Sequence, residues 1–402
     1  MQATLSPPIT RTNIPTYIYA VVFSSLCIVW GLLWDIMWHI SIGRDGLFAP
    51  PHLLMYVGAV VAGLFSGIKI LQLTFAKGNP ERTGSVRFWG IFYGSLGAMY
   101  CVWGALTMLT SAPFDDWWHN TYGLDVQILT PPHTVLLVGM MTVQFGAMIG
   151  VLALQNRASG TQPNSPGSDT QWNHRQAQRL KIMFTIAAGL LLSILYTMLA
   201  ENLGPWTSHH SSSYITMGIA FPFYLLAVGR ASTLRYPITI TTLAYMLAML
   251  IPSWILPLFP ATPRLGPVLN PITHYQAFVF PLLLVIPGFV LDKLLHRFGN
   301  GRLNDWLLSA LTGTVFIVII SVVQWYFGGF LQTSPYARNW FFLAESMSYS
   351  DDPTSPYHTT FHPHWLESTP DFLLGIGIAI LWAIASARIG LLWGNWMKKV
   401  QR

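Results

Sequence analysis

Two short stretches bring carboxylate and imidazole side chains to spacings at which they can meet. The first reads Trp34-Asp35-Ile36-Met37-Trp38-His39, then Gly43-Arg44-Asp45, then Pro50-Pro51-His52. The second reads Phe114-Asp115-Asp116-Trp117-Trp118-His119, then Gly123-Leu124-Asp125, then Pro131-Pro132-His133. The order recurs with one inserted residue, which points to duplication of a two-helix unit. Asp35 and His39 are four apart and share one face of a helix. Pro50 and Pro51 suit the first turn of the next helix, where a missing amide hydrogen costs least. His52 then sits on that turn and faces back into the hairpin mouth. The second copy offers Asp115, His119 and His133, with Asp116 as the competing carboxylate. One carboxylate and two imidazoles suit copper, iron or zinc with open coordination positions. The plain alternative is helix capping with interfacial hydrogen bonds. A carboxylate at a helix C-terminus weighs against simple capping, because the dipole there disfavours negative charge.

The elements that must position these residues are membrane helices. Hydrophobic types make up 52% of the 402 residues and charged types 9%, against about 25% charged in a soluble domain. That excludes a disordered chain or a nucleic-acid binder and argues against a soluble globule. The 17 Trp, 16 Tyr and 23 Phe suit interfacial belts in a lipid bilayer. The two cysteines, Cys27 and Cys101, lie in apolar runs and offer no disulfide framework or CxxC metal site.

A helix spanning the hydrocarbon needs about 20 apolar residues. Ten runs approach this: 17–38, 53–73, 88–109, 133–154, 182–200, 214–228, 238–258, 275–291, 306–330 and 372–393. The fold class expected is an all-α polytopic membrane protein with about ten spans and a duplicated helical hairpin. With the N-terminus inside, all of the 21 Lys and Arg fall on the inner side except Arg44, Arg264 and Arg338. The positive-inside rule then makes both termini cytoplasmic, in a membrane of the bacterial inner type. On the same map all 12 His except His174 and His296 are outer, which places the chemistry at the outer face. Residues 1–155 read as a four-helix region with the two Asp/His hairpins. Residues 156–181 read as a cytoplasmic linker, and 182–402 as a six-helix region with a long outer loop at 331–370.

Other residues carry weaker signals. His209 and His210 precede the sixth span, Glu201 ends the fifth, and His274 precedes the eighth; hydrogen-bonded interfacial histidine accounts for them. His358, His362 and His364, near Asp351 and Asp352, would ligate metal or form a lid. Pro222, Pro252, Pro257, Pro281 and Pro287 break or kink later spans, by ordinary packing or along a transport path. Asp292 is expected as a solvated partner of Lys293 and Arg297, and Arg388 as a snorkelling cation. No phosphate-binding glycine loop, dinucleotide fingerprint or nucleophile elbow is present.

Asp35-x-x-x-His39 followed by His52 resembles the copper motif of the C subunit of particulate methane and ammonia monooxygenases, over about twenty residues per copy. There, Asp and His on one transmembrane helix meet a His from the next. The resemblance implies Asp35, His39 and His52 as copper ligands and Asp115, His119 and His133 as an altered second copy. This chain departs from the family in its length, its ten expected spans and its doubled motif. The function expected is a copper-binding membrane oxidase or monooxygenase, or a subunit of one. Quinol, a periplasmic protein or another membrane subunit would supply electrons. Trp34, Trp38, Trp117 and Trp118 would wall the site or relay them, although an interfacial belt explains them equally. The alternatives are a transporter or channel for a metal or small solute, and a non-catalytic subunit of a membrane complex.

Overall fold

The computed structural model describes residues 10–43, 46–76, 82, 84–123, 130–160, 170–172, 174–264, 272–299, 301–344 and 367–401. Arg44, Asp45, Asp125, Asp351, Asp352, His358, His362 and His364 lie outside the described residues. Ten α-helices carry the fold: α1 (Thr16–Ser41), α2 (Pro50–Phe75), α3 (Leu96–Tyr122), α4 (Pro131–Gly160), α5 (His174–Leu199), α6 (Ser211–Ala231), α7 (Pro237–Ile255), α8 (Val285–Phe298), α9 (Asp305–Thr333) and α10 (Thr369–Met397). Two small strand pairs decorate them. Thr10–Thr12 (β1) runs parallel to Thr170–Trp172 (β4), and Val86–Phe88 (β2) runs antiparallel to Phe92–Gly94 (β3). Eight helices, all but α3 and α8, are long and apolar enough to cross a membrane.

Helix starts follow local chemistry. Prolines open α2, α4 and α7, where the first amides lack intrahelical partners anyway. Ser95 Oγ accepts from Ala98 N at the start of α3, and Asn304 Oδ1 from Leu307 N at the start of α9. Glu367 caps α6 from across the fold, accepting from Ser211 N at 2.8 Å and Ser211 Oγ at 2.9 Å.

Helices α1 to α4 close a ring, with α1 on α2, α2 on α3, α3 on α4 and α4 back on α1. Tyr17 Oη lies 3.4 Å from Ser95 Oγ, so α1 and α3 begin at the same end. Both Asp/His mouths therefore open at the other end. An offset of 80 residues takes α1 onto α3, and an offset of 81 takes α2 onto α4. Contacts follow these offsets. A methyl on Gly58 would lie 3.0 Å from Ser24 O, and one on Gly139 would lie 3.0 Å from Gly104 O. Between hairpins, Gly63 faces the Ala105 methyl, while the equivalent pair is Gln144 Nε2 donating to Ser25 O at 2.9 Å. Exchanging the two hairpins thus maps the α2–α3 contact onto α4–α1. That is the pattern of a pseudo-two-fold axis along the helices.

Three sequence expectations are corrected. The third run, 88–109, is not one helix: β2 and β3 form a hairpin turning at Trp89 (φ 47°) and Gly90 (φ 70°), and α3 starts only at Leu96. Aromatic residues around Gly90 satisfy a hydropathy window while favouring a strand turn. The eighth run, 275–291, is extended up to Leu283, and α8 has only 14 residues. Pro281 disfavours helix in the residue before it, and Pro287 falls in the first turn of α8. The extended stretch bonds elsewhere: Gln276 N to Ser41 Oγ at 2.8 Å, and Leu283 N to Gln324 Oε1 at 3.5 Å. Asp292 is buried rather than solvated. It accepts from Ile238 N at 3.1 Å and from Thr239 N and Oγ1 at 2.7 Å each, capping α7 from α8.

Candidate metal centre

Each mouth pairs the last turns of one helix with the first turn of the next. In the second hairpin, Asp115 Oδ1 lies 3.3 Å from His133 Nε2 and 3.6 Å from His119 Nε2. Two ligands each about 2.1 Å from one ion stand roughly 3.0–3.4 Å apart at angles of 90–109°; the His133 separation falls in that range and the His119 separation lies just beyond it. Among the described residues, Asp115, His119 and His133 form the one group of three whose ligand atoms all lie within 4.8 Å of one another. The three side chains are half-buried, between 21% and 31% exposed, which leaves a solvent side for a further ligand.

The first hairpin is a looser copy. Asp35 Oδ1 lies 3.1 Å from His52 Nε2 and 3.9 Å from His39 Nε2. Both histidines flank the carboxylate, yet their nitrogens do not close on each other to the distance reached in the second hairpin. The His39 side chain is 43% exposed and that of His52 13%.

Backbone carbonyls fix one imidazole in each mouth. His119 Nδ1 is 3.0 Å from Gly123 O, and His52 Nδ1 is 3.1 Å from Gly46 O. A carbonyl only accepts, so Nδ1 carries the hydrogen and Nε2 is turned toward the carboxylate. In a neutral ring that Nε2 presents a lone pair to an anion. Such an arrangement is stable with a positive charge in it, either a proton on Nε2 or a metal ion between the groups. Asp35 Oδ1 is shielded from solvent and has no hydrogen-bond partner, although His52 Nε2 is only 3.1 Å away.

The remaining residues sort clearly. Asp116 is exposed and accepts from Asn120 Nδ2 at 3.2 Å, outside the triad. His209 packs edge-on to Trp325 at 4.3 Å, with Nδ1 3.3 Å from Ser208 Oγ. His274 is exposed, with Nδ1 3.0 Å from Thr273 Oγ1. Among the described residues, neither joins a metal-competent group. The sequence reading missed the carbonyl anchors. The repeated Gly43 and Gly123 share φ of 86° and 88° at the helix ends, a region that favours glycine, but that repeat marks the helix ends and not the carbonyl contacts.

Comparison with protein-family models, with curated proteins and with solved structures gives no match. The likeness to the copper monooxygenase subunit therefore stays local to the Asp/His motif. The chain is a polytopic all-α membrane protein bearing an Asp/His/His group able to ligate a metal ion.

Proposed function

We propose that this protein is a membrane copper protein of the oxidase or monooxygenase kind, or the metal-bearing subunit of one, with its site at the outer face. The convergence of Asp115, His119 and His133 carries this reading. Two nitrogens and one carboxylate oxygen suit Cu(II), and the same donors accept zinc or iron. Bound there, copper would supply a redox-active Lewis acid with open positions. The chain's own residues do the positioning. Gly123 O holds the His119 ring so that Nε2 faces inward, and the proline-started helix α4 presents His133 from the opposite wall. Phe114 stacks on Trp117 at 6.0 Å, and Trp118 lies 4.5 Å from Tyr122. These rings form an aromatic wall beside the mouth that suits a small apolar substrate arriving from the bilayer. Electrons would come from quinol or a partner protein.

Metal quantification of the purified chain tests the reading. Copper near one or two equivalents, lost in a His52→Ala/His133→Ala double variant, supports it. A metal-free protein whose fold is unaffected by the double variant defeats it. Cysteine labelling at Gly46 and Gly301 in intact cells tests the face, with only the Gly46 position expected to react from outside. One observation favours transport as the second reading: the extended stretch before α8, packed within the bundle, resembles the broken helices of transporters. Metal uptake into proteoliposomes would select that reading over the oxidase.

A further inference from the structure

The end of the molecule opposite the two Asp/His mouths holds a second constellation. Asn156, near the end of α4, donates to Met397 O at 2.9 Å and Val400 O at 2.7 Å, which places the end of α10 there. Next to it the end of α6, the start of α7, α8 and the end of α10 enclose a cleft of about 140 Å³. Arg230, Arg235, His296 and Lys398 line it, with Asp292 below.

The charges in this region do not cancel. Among the described residues two carboxylates reach it, and both are committed. Asp292 is occupied by three donors at the start of α7. Asp305 accepts from Arg230 Nη2, lies 4.0 Å from Arg388 Nη1 and is 3.5 Å from Asn395 Nδ2. Arg230 also donates through Nη1 to Gly299 O at 2.7 Å. Among the described residues, no carboxylate comes within ion-pair distance of Arg235 or Lys398. Burial, and then the nearby Arg230 charge, pull the Lys398 ammonium below its ordinary pKa, and the Asp305 carboxylate offsets this only in part. That crowding of cations is relieved by an anion. The rim is also built for a lipid surface. The Arg235 guanidinium lies 5.3 Å over the Tyr236 ring, Lys293 covers the same ring at 5.6 Å, and Tyr236 stacks on exposed Phe289 at 5.8 Å.

We infer that this cleft binds a phosphate-bearing anion, held by Arg235 and Lys398 over the start of α7. A forked guanidinium and a mobile ammonium together suit tetrahedral phosphate oxygens. Two sources share that chemistry: the headgroup of an anionic phospholipid, with acyl chains along Phe289 and Ile286, and free phosphate.

The test is native mass spectrometry and thermal melting of the delipidated full chain in detergent. Phosphatidylglycerol, phosphatidylcholine and inorganic phosphate are added in separate arms. The expected result is preferential retention of one phosphatidylglycerol. An Arg235→Gln/Lys398→Gln variant should bind it roughly thirtyfold more weakly, with phosphatidylcholine binding and the lipid-free melting temperature unchanged. Arg235→Lys/Lys398→Arg should retain binding. Phosphate that displaces the lipid, or raises the melting temperature alone, identifies free phosphate as a ligand of the same site. Phosphate without effect, beside retained phosphatidylglycerol, identifies the lipid. Equal binding of the two lipids with phosphate inert, or wild-type affinity in the Gln variant, overturns the site.

Discussion

The two Asp/His hairpins share a motif and a packing register but differ in what surrounds them. The first mouth is stapled to the second half of the chain. Ile42 O accepts from Arg264 N at 2.8 Å, Ser41 Oγ accepts from Gln276 N, and Trp38 meets Tyr275 at 6.3 Å. At the second mouth the aromatic residues of α3 pack mainly on each other, and Trp117 and Tyr122 stay 50% and 65% exposed. The stapled copy has the looser triad, and the other copy has the convergent one. A shared motif therefore does not confer equal chemistry. The connection between the two helices also bears on the distance to the second histidine, and in the convergent copy it is one residue longer.

The largest effect that would test this contrast is in metal affinity. His133→Ala should lower it by more than the roughly 10–100-fold that loss of an outer hydrogen-bond partner costs, while His52→Ala removes only a weaker equivalent. Titration with copper, read by elemental analysis, ranks the two. A reversed ranking breaks the contrast, and an unchanged double variant removes both sites. Next is the shared register. Gly58→Leu and Gly139→Leu each overpack a helix contact and should each lose about 1–3 kcal/mol. Melting temperature is the readout, and one silent substitution would end the equivalence of the hairpins.

Smaller effects sharpen the comparison. Gly123→Ala forces a side chain onto φ of 88° and should cost about 1–2 kcal/mol. It should also weaken metal binding, because Gly123 O orients His119. Ser41→Ala leaves Gln276 N without its acceptor and should cost about 1 kcal/mol. Copper affinity of the second hairpin should not change with it. A fall in that affinity would show that the two mouths communicate.

The sequence showed the parts of this picture that depend on neighbours along the chain. Asp35 and His39, or Asp115 and His119, share a face because a helix repeats every 3.6 residues, and the Pro-Pro-His starts follow from missing amide hydrogens. The parts that depend on distant partners did not show. Asp292 reads as a charge beside Lys293 and Arg297, yet its partners are amides at the start of α7. The repeat favours Asp115 over its competitor Asp116, and the direction of α4 settles the choice, because His133 meets Asp115. The stretch before α8 is as apolar as a span, but its prolines and its acceptors on α1 and α9 keep it extended. The anchors at Gly46 and Gly123 are carbonyl oxygens, which every residue has, so residue types gave no sign of them.

That extended stretch also constrains how the protein is made. A membrane helix satisfies its own backbone and can leave the insertion machinery as soon as it is synthesised. Residues 275–283 cannot, because Leu283 N relies on Gln324 of α9, a residue translated later. Gln276 N relies on Ser41, translated long before. The segment must wait in a sheltered, watery place until α9 arrives to complete it. Ribosome stalling between residues 290 and 320 should therefore leave α1–α7 integrated and residues 275–283 still open to protease, with protection gained once α9 has emerged.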